Sequence, residues 1–340
     1  MKPIFNYIIT IHNKEALIER VLESVIKCCH ENSFIYPVLD GCSDRSEEII
    51  DTVISKNLKV SITKIKMNDV HEILSINEGL KISNQSVEGY NIILQDDVIL
   101  KDDKIEEKIT QLYNKVGDKL GYLSFRLGAN LKKDILVNPN SLLFKDYVES
   151  AFGHGFDHAK ILVPGQFTFR SIAIKSPVCI PTRIIKEFGL LDEHLAPCFH
   201  DDTEYCLRLL KNGYKNGVFA ISYESDLDWG ETRLHPNPKY AGYINNNMSY
   251  IKKRYTEVIN RTISSNQESD VFSFSEFVDK EETRKAINQY KLSQKKRKKF
   301  ETLNLSMSEK IKFYVSRGIF YKPSKFIFNF FTNAANKPND

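Results

Sequence analysis

Over the first 120 residues, short apolar runs alternate with longer segments of helical periodicity. The runs predict buried strands, and the segments place apolar residues three and four positions apart, as amphipathic helices do. Predicted strands lie at 4–11, 34–39, 60–65 and 90–95, and a predicted helix follows each of them. Strand–helix units repeated in this way form a mostly parallel sheet with right-handed crossovers and helices on both faces. The sequence therefore predicts an α/β fold.

Length and charge narrow the class of protein. The chain has 340 residues, enough for a domain of about 250 residues and an extension. Hydrophobic residues make up 41% and charged residues 27%, which excludes a wholly disordered chain. The net charge of +4 is too small to indicate nucleic-acid binding. We predict a globular domain at 1–238 and a basic, aromatic, helical C-terminal extension at 239–340.

The spacing of the cysteines and the lengths of the apolar runs indicate the cellular compartment of the protein. The six cysteines form no C-x-x-C pair and no zinc-binding spacing, which favours free thiols in a reducing compartment. The N-terminus shows no cleavable signal, and no run approaches the about 20 apolar residues that cross a bilayer. We expect a cytoplasmic protein that contacts membranes only at its surface.

Polar and acidic side chains follow three of the predicted strands. His12 comes after the first strand, Asp40 after the second, and Asp96 with Asp97 after the fourth. Ligands of such sheets bind beyond the carboxyl ends of the strands, so these side chains indicate a site. Adjacent carboxylates raise each other's pKa unless a cation compensates them, and Mg²⁺ or Mn²⁺ suits an oxygen-only pair. The alternative for Asp96 and Asp97 is a solvated turn.

The second half of the chain is more mixed. Strands are predicted at 122–126 and 167–174, and helices at 182–188 and 203–210. Between them, the glycines and prolines of 128–165 indicate a long loop or lid beside the site.

Four segments, in order along the chain, resemble motifs of the inverting family 2 glycosyltransferases, which have the GT-A fold. They are 8–15, 40–46, 95–97 at the family's D-x-D motif, and 200–208 at its late acidic motif E-D-x-D-L-x-x-R. The chain departs from the family at Thr10, Leu39 and Gln95, where Pro, Asp and Asp are usual. The resemblance covers 4–235 and implies a Rossmann-like GT-A domain, with a nucleotide-sugar-binding half at 1–120 and an acceptor half at 121–238.

The resemblance also implies an activity. It points to transfer of one sugar, with inversion, from a UDP-, GDP- or dTDP-sugar to a hydroxyl of a glycan or lipid-linked acceptor, as in surface polysaccharide or glycan assembly. Mn²⁺ or Mg²⁺ is the implied cofactor. The Q-x-x-R-W motif of processive synthases is absent, which favours a single addition. The three departures support an alternative, a non-catalytic GT-A-like nucleotide-binding or scaffold protein.

Individual residues receive roles from the same resemblance. Donor-binding roles are implied for Thr10, His12, Glu15, Asp40, Asn77 and Asp96. Metal ligands are implied at Asp97, Asp96 and His235, and the catalytic base at Asp202, with Asp201 as the second candidate.

Structural alternatives stay open for several of these residues. Asp40 also fits an Asx turn. Asn77 also fits a packing position on a helix, and His235 a loop position without a ligand. Asp201 and Asp202 also fit the first turn of a helix.

The C-terminal extension has an uneven charge. Residues 284–299 carry eight Lys and Arg without an acid, and aromatic residues follow as far as 331. Such a segment fits either a solvated helix face or peripheral contact with an anionic membrane through 284–331.

Overall fold

The structure is a computed structural model that describes residues 2–83, 88–132, 142–156, 158–230, 239–265 and 270–303, with side chains up to 299. The chain divides into two compact units, 1–294 and 295–340. In the second unit, the described residues 295–303 are helical. The remaining description concerns the first unit.

The strands of the described residues are β1 (Ile4–Ile11), β2 (Ser33–Asp40), β3 (Ser61–Ile62), β4 (Ile65–Met67), β5 (Gly89–Gln95), β6 (Ile99–Leu100), β7 (Leu120–Ser124), β8 (Leu127–Lys132), β9 (Leu143–Ser150), β10 (Lys160–Leu162), β11 (Gln166–Arg170), β12 (Ile172–Ile174), β13 (Val178–Pro181), β14 (Lys215–Phe219), β15 (Tyr223–Glu224) and β16 (Phe272–Ser273). The α-helices are α1 (Ile18–Cys28), α2 (Ser46–Lys56), α3 (His71–Ile82), α4 (Ile105–Val116), α5 (Thr182–Phe188), α6 (Asp201–Lys211), α7 (Lys239–Ser264) and α8 (Lys280–Leu303).

The main sheet has the strand order β16-β11-β14-β7-β13-β5-β1-β2-β3, and β4 also pairs with β2. β5, β1 and β2 are parallel neighbours, whereas β13 is antiparallel to both β5 and β7. The carboxyl ends of β2, β1, β5 and β7 therefore lie at one edge of the sheet. This arrangement confirms the predicted α/β fold with a mostly parallel sheet flanked by helices.

Helices cover both faces of β1, which explains why almost the whole strand is apolar. Because side chains alternate along a strand, Tyr7, Ile9 and Ile11 join one buried core with α1 and α4. Ile8 points the other way, into a second core with α3. Gly79 of α3 lets this helix approach closely, since a Cβ at that position would lie 2.5 Å from Ile8 Cγ2.

Most predicted elements of the first 120 residues are present, with small shifts of their ends. The predicted strand 60–65 is two short strands, β3 and β4. The predicted strand 167–174 also divides, at Ser171: β11 belongs to the main sheet and β12 to another sheet.

The prediction of a long loop or lid at 128–165 is wrong for the described residues. β8, β9 and β10 lie in this region and form a four-stranded sheet with β12, in the order β10-β9-β8-β12. Antiparallel pairing of β9 with β8 satisfies backbone groups that a loop would leave to water. Residues 133–141 and 157 lie outside the described residues.

Residues 239–265 and 270–294 belong to the same compact unit as the sheet. α7 packs on α6 and buries Met248 and Ile251, β16 pairs with β11, and α8 buries Tyr290. The predicted boundary after 238 falls on 231–238, outside the described residues. The predicted helical character of the following segment agrees with α7 and α8.

Two further findings concern the whole described part of the chain. All six cysteines are free thiols, as predicted. None of the helices in the described ranges combines the length and the apolar character needed to cross a bilayer.

Candidate active site

A cleft of about 570 Å³ opens at the carboxyl edge of the main sheet. It brings together seven of the predicted site residues: Thr10, His12, Asp40, Asp96, Asp97, Asp201 and Asp202. These residues come from the ends of β1, β2 and β5 and from the start of α6. Their convergence follows from the parallel order of β2, β1 and β5, which ends the three strands side by side.

Two predicted donor-binding residues do not line this cleft. Asn77 is buried, and its amide donates to Leu191 O at 3.0 Å while its Oδ1 accepts from Leu191 N at 3.0 Å. Its contacts fit the packing alternative, in which it ties α3 to the chain near Leu191. Glu15 accepts a hydrogen bond from Arg45 N at 3.1 Å and so supports a neighbouring loop. His235 lies outside the described residues.

At one end of the cleft, Asp40 and His12 are held by backbone groups. Asp40 is buried, and its Oδ1 accepts from Val70 N at 2.8 Å. His12 Nδ1 lies 2.6 Å from Asp40 O, so this nitrogen carries the proton and donates. The His12 ring and the carboxylates of Asp40 and Asp69 bring possible metal-ligand atoms within 4.8 Å of one another.

Asp96 and Asp97 stand next to this end of the cleft. Asp96 Oδ2 accepts from His12 N at 2.9 Å, and Lys14 Nζ lies 3.8 Å from Asp96 Oδ1. Burial raises the pKa of Asp96 to about 7; Lys14 opposes this shift, and the charge of Asp97 adds to it. Two neighbouring carboxylates in such an environment fit a divalent cation, which would favour their ionised forms and prefers oxygen ligands.

Gln95, which replaces the first acid of the D-x-D motif, lines the cleft and is hydrogen-bonded through both its side chain and its backbone. Its Nε2 donates to Glu72 Oε1 at 2.5 Å, and its backbone N donates to Ser176 Oγ at 3.0 Å. Glu72, on α3, also lines the cleft. The chain therefore keeps a carboxylate beside Gln95, but on a different element.

Lys175, directly after β12, was missed by the sequence analysis. Its Nζ lies 2.5 Å from Asp201 Oδ2 and 3.2 Å from Glu72 Oε2. Burial disfavours the charged form of Lys175, but Asp201 and Glu72 outweigh burial and raise its pKa. The signal that was available is the one used for the other strands, a polar residue immediately after an apolar run.

Asp202 lies in the first turn of α6. The preceding residues Phe199 and His200 have φ angles of 77° and 66°, a left-handed conformation that is uncommon for side chains with a Cβ. Asp202 Oδ1 accepts from Thr203 N at 2.6 Å. Burial raises the pKa of Asp202 to about 7, with a further contribution from the charge of Asp201 and an opposing one from Lys175. A carboxylate with such a pKa suits proton transfer near neutral pH.

Arg126, Phe199 and Tyr240 also line the cleft. Arg126 follows β7 and contacts His154. Phe199 and Tyr240 stack edge to face, with ring centroids 5.3 Å apart. None of these three residues was predicted from the sequence, because each comes from a segment without a recognisable motif.

The mostly parallel sheet flanked by helices agrees with the GT-A fold expected from the motifs. Residues 7–117, about a third of the chain, match the family model described as "Glycosyl transferase family 2". The match includes three of the four motif segments, 8–15, 40–46 and 95–97, and confirms that part of the resemblance. No curated protein sequence matches the chain.

Solved structures with a similar fold include TarS from S. aureus, with 15% identity and a TM-score of 0.43 over 65% of this chain and 36% of TarS. The chain thus spans about a third of the length of that structure. A TarS fragment in complex with UDP-GlcNAc has 13% identity and a TM-score of 0.47, covering 90% of this chain and 77% of the fragment. The mannosyltransferase PcManGT from Pyrobaculum calidifontis, in complex with GDP-Man and Mn²⁺, has 10% identity and a TM-score of 0.48, covering 95% and 82%.

Proposed function

We propose that the chain transfers a single sugar, with inversion, from a nucleotide-sugar to a hydroxyl of a glycan or lipid-linked acceptor, using Mn²⁺ or Mg²⁺. One observation carries the proposal. The carboxylates of Asp40, Asp96, Asp97, Asp201 and Asp202, from three separate parts of the chain, line one cleft.

Asp202 is the proposed base. Its carboxylate accepts the proton of the acceptor hydroxyl while the hydroxyl oxygen attacks the anomeric carbon of the donor sugar. The bond from that carbon to the diphosphate oxygen breaks in the same displacement, so the nucleoside diphosphate leaves and the configuration inverts. Asp201, held by Lys175, is the second candidate for the base.

Asp97 and Asp96 are the proposed metal ligands. The ion, when bound there, supplies positive charge that stabilises the diphosphate as it leaves. Lys14, 3.8 Å from Asp96, contributes a further positive charge at this place. Asp40, His12 and Thr10, at the end of the cleft formed by β1 and β2, are the proposed contacts of the nucleoside.

A thermal-shift screen with UDP, GDP and dTDP, each with Mn²⁺, Mg²⁺ or EDTA, tests donor binding. We expect one nucleotide to stabilise the protein in a metal-dependent way, by about 2.7 kcal/mol at a concentration 100 times its Kd. If none of the three nucleotides stabilises the protein, the proposal is wrong and a scaffold protein is favoured.

The variant Asp202→Asn tests catalysis. It removes the proton acceptor with almost no change of shape, so we expect turnover to fall by about 10²-fold to 10⁴-fold while nucleotide binding persists. Asp103→Asn is the matched control, because Asp103 is exposed and outside this cleft. Wild-type protein that binds a nucleotide but neither transfers nor hydrolyses its sugar would support the nucleotide-binding alternative.

We also propose that the protein acts in the cytoplasm, with peripheral membrane contact through 284–331. The described part of this segment belongs to α8, where Lys285 is exposed beside Glu281; residues 304–331 lie outside the described residues. Co-sedimentation with phosphatidylserine vesicles, but not with phosphatidylcholine vesicles, is the expected result, and it should weaken with salt. Equal sedimentation with both kinds of vesicle would contradict an electrostatic contact.

A further inference from the structure

Arg126 is held in a fixed orientation in the wall of the cleft. One guanidinium nitrogen, Nη2, lies 2.9 Å from His154 Nδ1. Because a guanidinium only donates, this Nδ1 accepts and the ring proton sits on Nε2, which lies 3.1 Å from Ser225 Oγ. His154 is 4% exposed. The hydrogen bond to the buried His154 therefore fixes the orientation of the Arg126 guanidinium.

Arg126 differs from the two lysines of the cleft, whose charges lie near carboxylates. Lys14 lies near Asp96, and Lys175 pairs with Asp201 and Glu72. Arg126 forms no ion pair with a carboxylate in the part of the chain that the structure describes. Its Nε is buried and makes no hydrogen bond with the described residues. Arginine stays charged, and its planar set of donors matches phosphate and carboxylate groups.

The strand order separates β7, which Arg126 follows, from the strands that carry the proposed nucleoside contacts. Val178 of β13 pairs with Ile93 of β5 and with Ser124 of β7. β7 is therefore two strand spacings, or about 10 Å, from β5, and Arg126 comes two residues after the end of β7. β1 and β2, which carry the proposed nucleoside contacts, lie on the opposite side of β5.

We propose that Arg126 binds a negatively charged group of the acceptor, a phosphate or a carboxylate, so that the substrate receiving the sugar is an anionic glycan. The identification of this ligand as the acceptor rests on the proposed function; the anion site itself does not. The Phe199–Tyr240 pair lines the same cleft and offers an apolar wall for the uncharged part of the acceptor.

Calorimetric titration with inorganic phosphate in EDTA tests the anion site without a metal or a donor. We expect wild type to bind phosphate, Arg126→Met to bind it at least about tenfold more weakly, and Arg126→Lys to fall between them, because a charge-assisted hydrogen bond contributes about that much. Arg45→Met, which changes an exposed arginine outside the cleft, is the matched control. Circular dichroism melts establish that the variants fold. If Arg126→Met does not fold, Arg126→Lys, which preserves the charge, still tests the site. Absence of phosphate binding by wild type, or equal binding by Arg126→Met, overturns the proposal.

Titration with UDP, GDP and dTDP in the presence of Mn²⁺ separates acceptor from donor. We expect Arg126→Met to bind the preferred nucleotide within about twofold of wild type, because β7 and the strands with the proposed nucleoside contacts lie on opposite sides of β5. A parallel loss of nucleotide and phosphate binding would assign Arg126 to the donor diphosphate and overturn the acceptor proposal. If no nucleotide binds wild type while phosphate binding still requires Arg126, the proposed function fails and the anion site remains.

Transfer assays with matched neutral and anionic acceptors complete the test. Pairs of the same oligosaccharide with and without a phosphate or a uronic acid carboxylate serve as probes. We expect wild type to prefer the charged member in kcat/KM and Arg126→Met to lose that preference by about tenfold, with the donor KM unchanged. An equal effect of the substitution on neutral and charged acceptors would contradict the proposal.

Discussion

The Nζ atom of Lys175 lies 2.5 Å from Oδ2 of Asp201, the residue before the proposed base Asp202. The same ammonium group lies 3.2 Å from Glu72, which in turn accepts from the side chain of Gln95. A line of contacts thus joins the D-x-D position at the end of β5 to the start of α6. Gln95, at the D-x-D position, and Lys175 therefore contact the same acid, Glu72.

Replacing Lys175 by Met should change the pH dependence of catalysis. Lys175 lowers the pKa of Asp202, whereas burial and Asp201 raise it. Without the cation, we expect the acid limb of the kcat/KM profile to move to higher pH by about one unit, since a nearby opposite charge shifts a pKa by one to three units. Lys175→Arg should restore the wild-type profile. An unshifted profile in Lys175→Met would show that the contact between Lys175 and Asp201 contributes to stability alone. Lys66→Met, at an exposed site, is the control.

Wild-type activity should itself depend on pH near neutrality. Asp202 must be ionised to accept a proton, and burial raises its pKa to about 7. Protonation below that pH removes the base, so kcat/KM should rise from acidic pH to a plateau above about pH 8, with half its maximum near the pKa of the base. An ordinary aspartate would keep activity down to about pH 4. A profile that is flat between pH 5 and 8 would exclude Asp202 as the base with this pKa.

The place of the metal can be tested by two matched substitutions. Asp97→Asn should weaken the Mn²⁺-dependent part of nucleotide binding by at least about tenfold, because carboxylates bind divalent ions far better than amides do. Asp69→Asn should leave it unchanged, although Asp69 groups with His12 and Asp40 as possible ligands. Manganese titrations followed by thermal shift measure both. The reverse pattern would place the ion with His12, Asp40 and Asp69.

Arg208→Met should destabilise the protein strongly. Glu204 is fully buried and contacts both Arg208 and Tyr255. Arg208 also donates to Phe188 O at 2.9 Å and to Leu190 O at 2.7 Å. Removing it leaves the buried carboxylate of Glu204 without its positively charged partner, which costs about 3–5 kcal/mol of unfolding free energy. Urea denaturation measures the loss, and the exposed pair of Arg45 with Glu48 provides the control Arg45→Met, with an expected effect below about 1 kcal/mol.

Periodicity predicted the first half of the fold and only part of the second. β1, β2 and β5 are apolar on both faces and lie between helices, so each run in the sequence corresponds to one strand. The alternating pattern at 167–174 also indicates a strand, but the pattern does not indicate which sheet the strand joins. β11 and β12 therefore appeared as one strand, although Ser171 separates strands of two different sheets.

Candidate site residues could be predicted where they directly follow a strand in the sequence. They could not be predicted where their position depends on tertiary contacts. Asp40 and Asp97 were found because each follows a recognisable strand. Lys175 meets Asp201 across 26 residues of chain, and its position depends on how β12 packs against α6. Asn77 matches a family motif, but its amide is hydrogen-bonded to the backbone of Leu191, a tertiary contact that the motif does not indicate.

The short strand β16 pairs with β11 through Phe272 and Ser273, on the side that β14 leaves open. An uncovered strand of this kind exposes backbone donors and acceptors to which another polypeptide can add. A recombinant fragment trimmed after residue 238 would lose this cover together with Phe274, which packs against Phe219. Such a fragment should self-associate and precipitate, so expression vectors for the unit that holds the main sheet need to extend at least to Gln294.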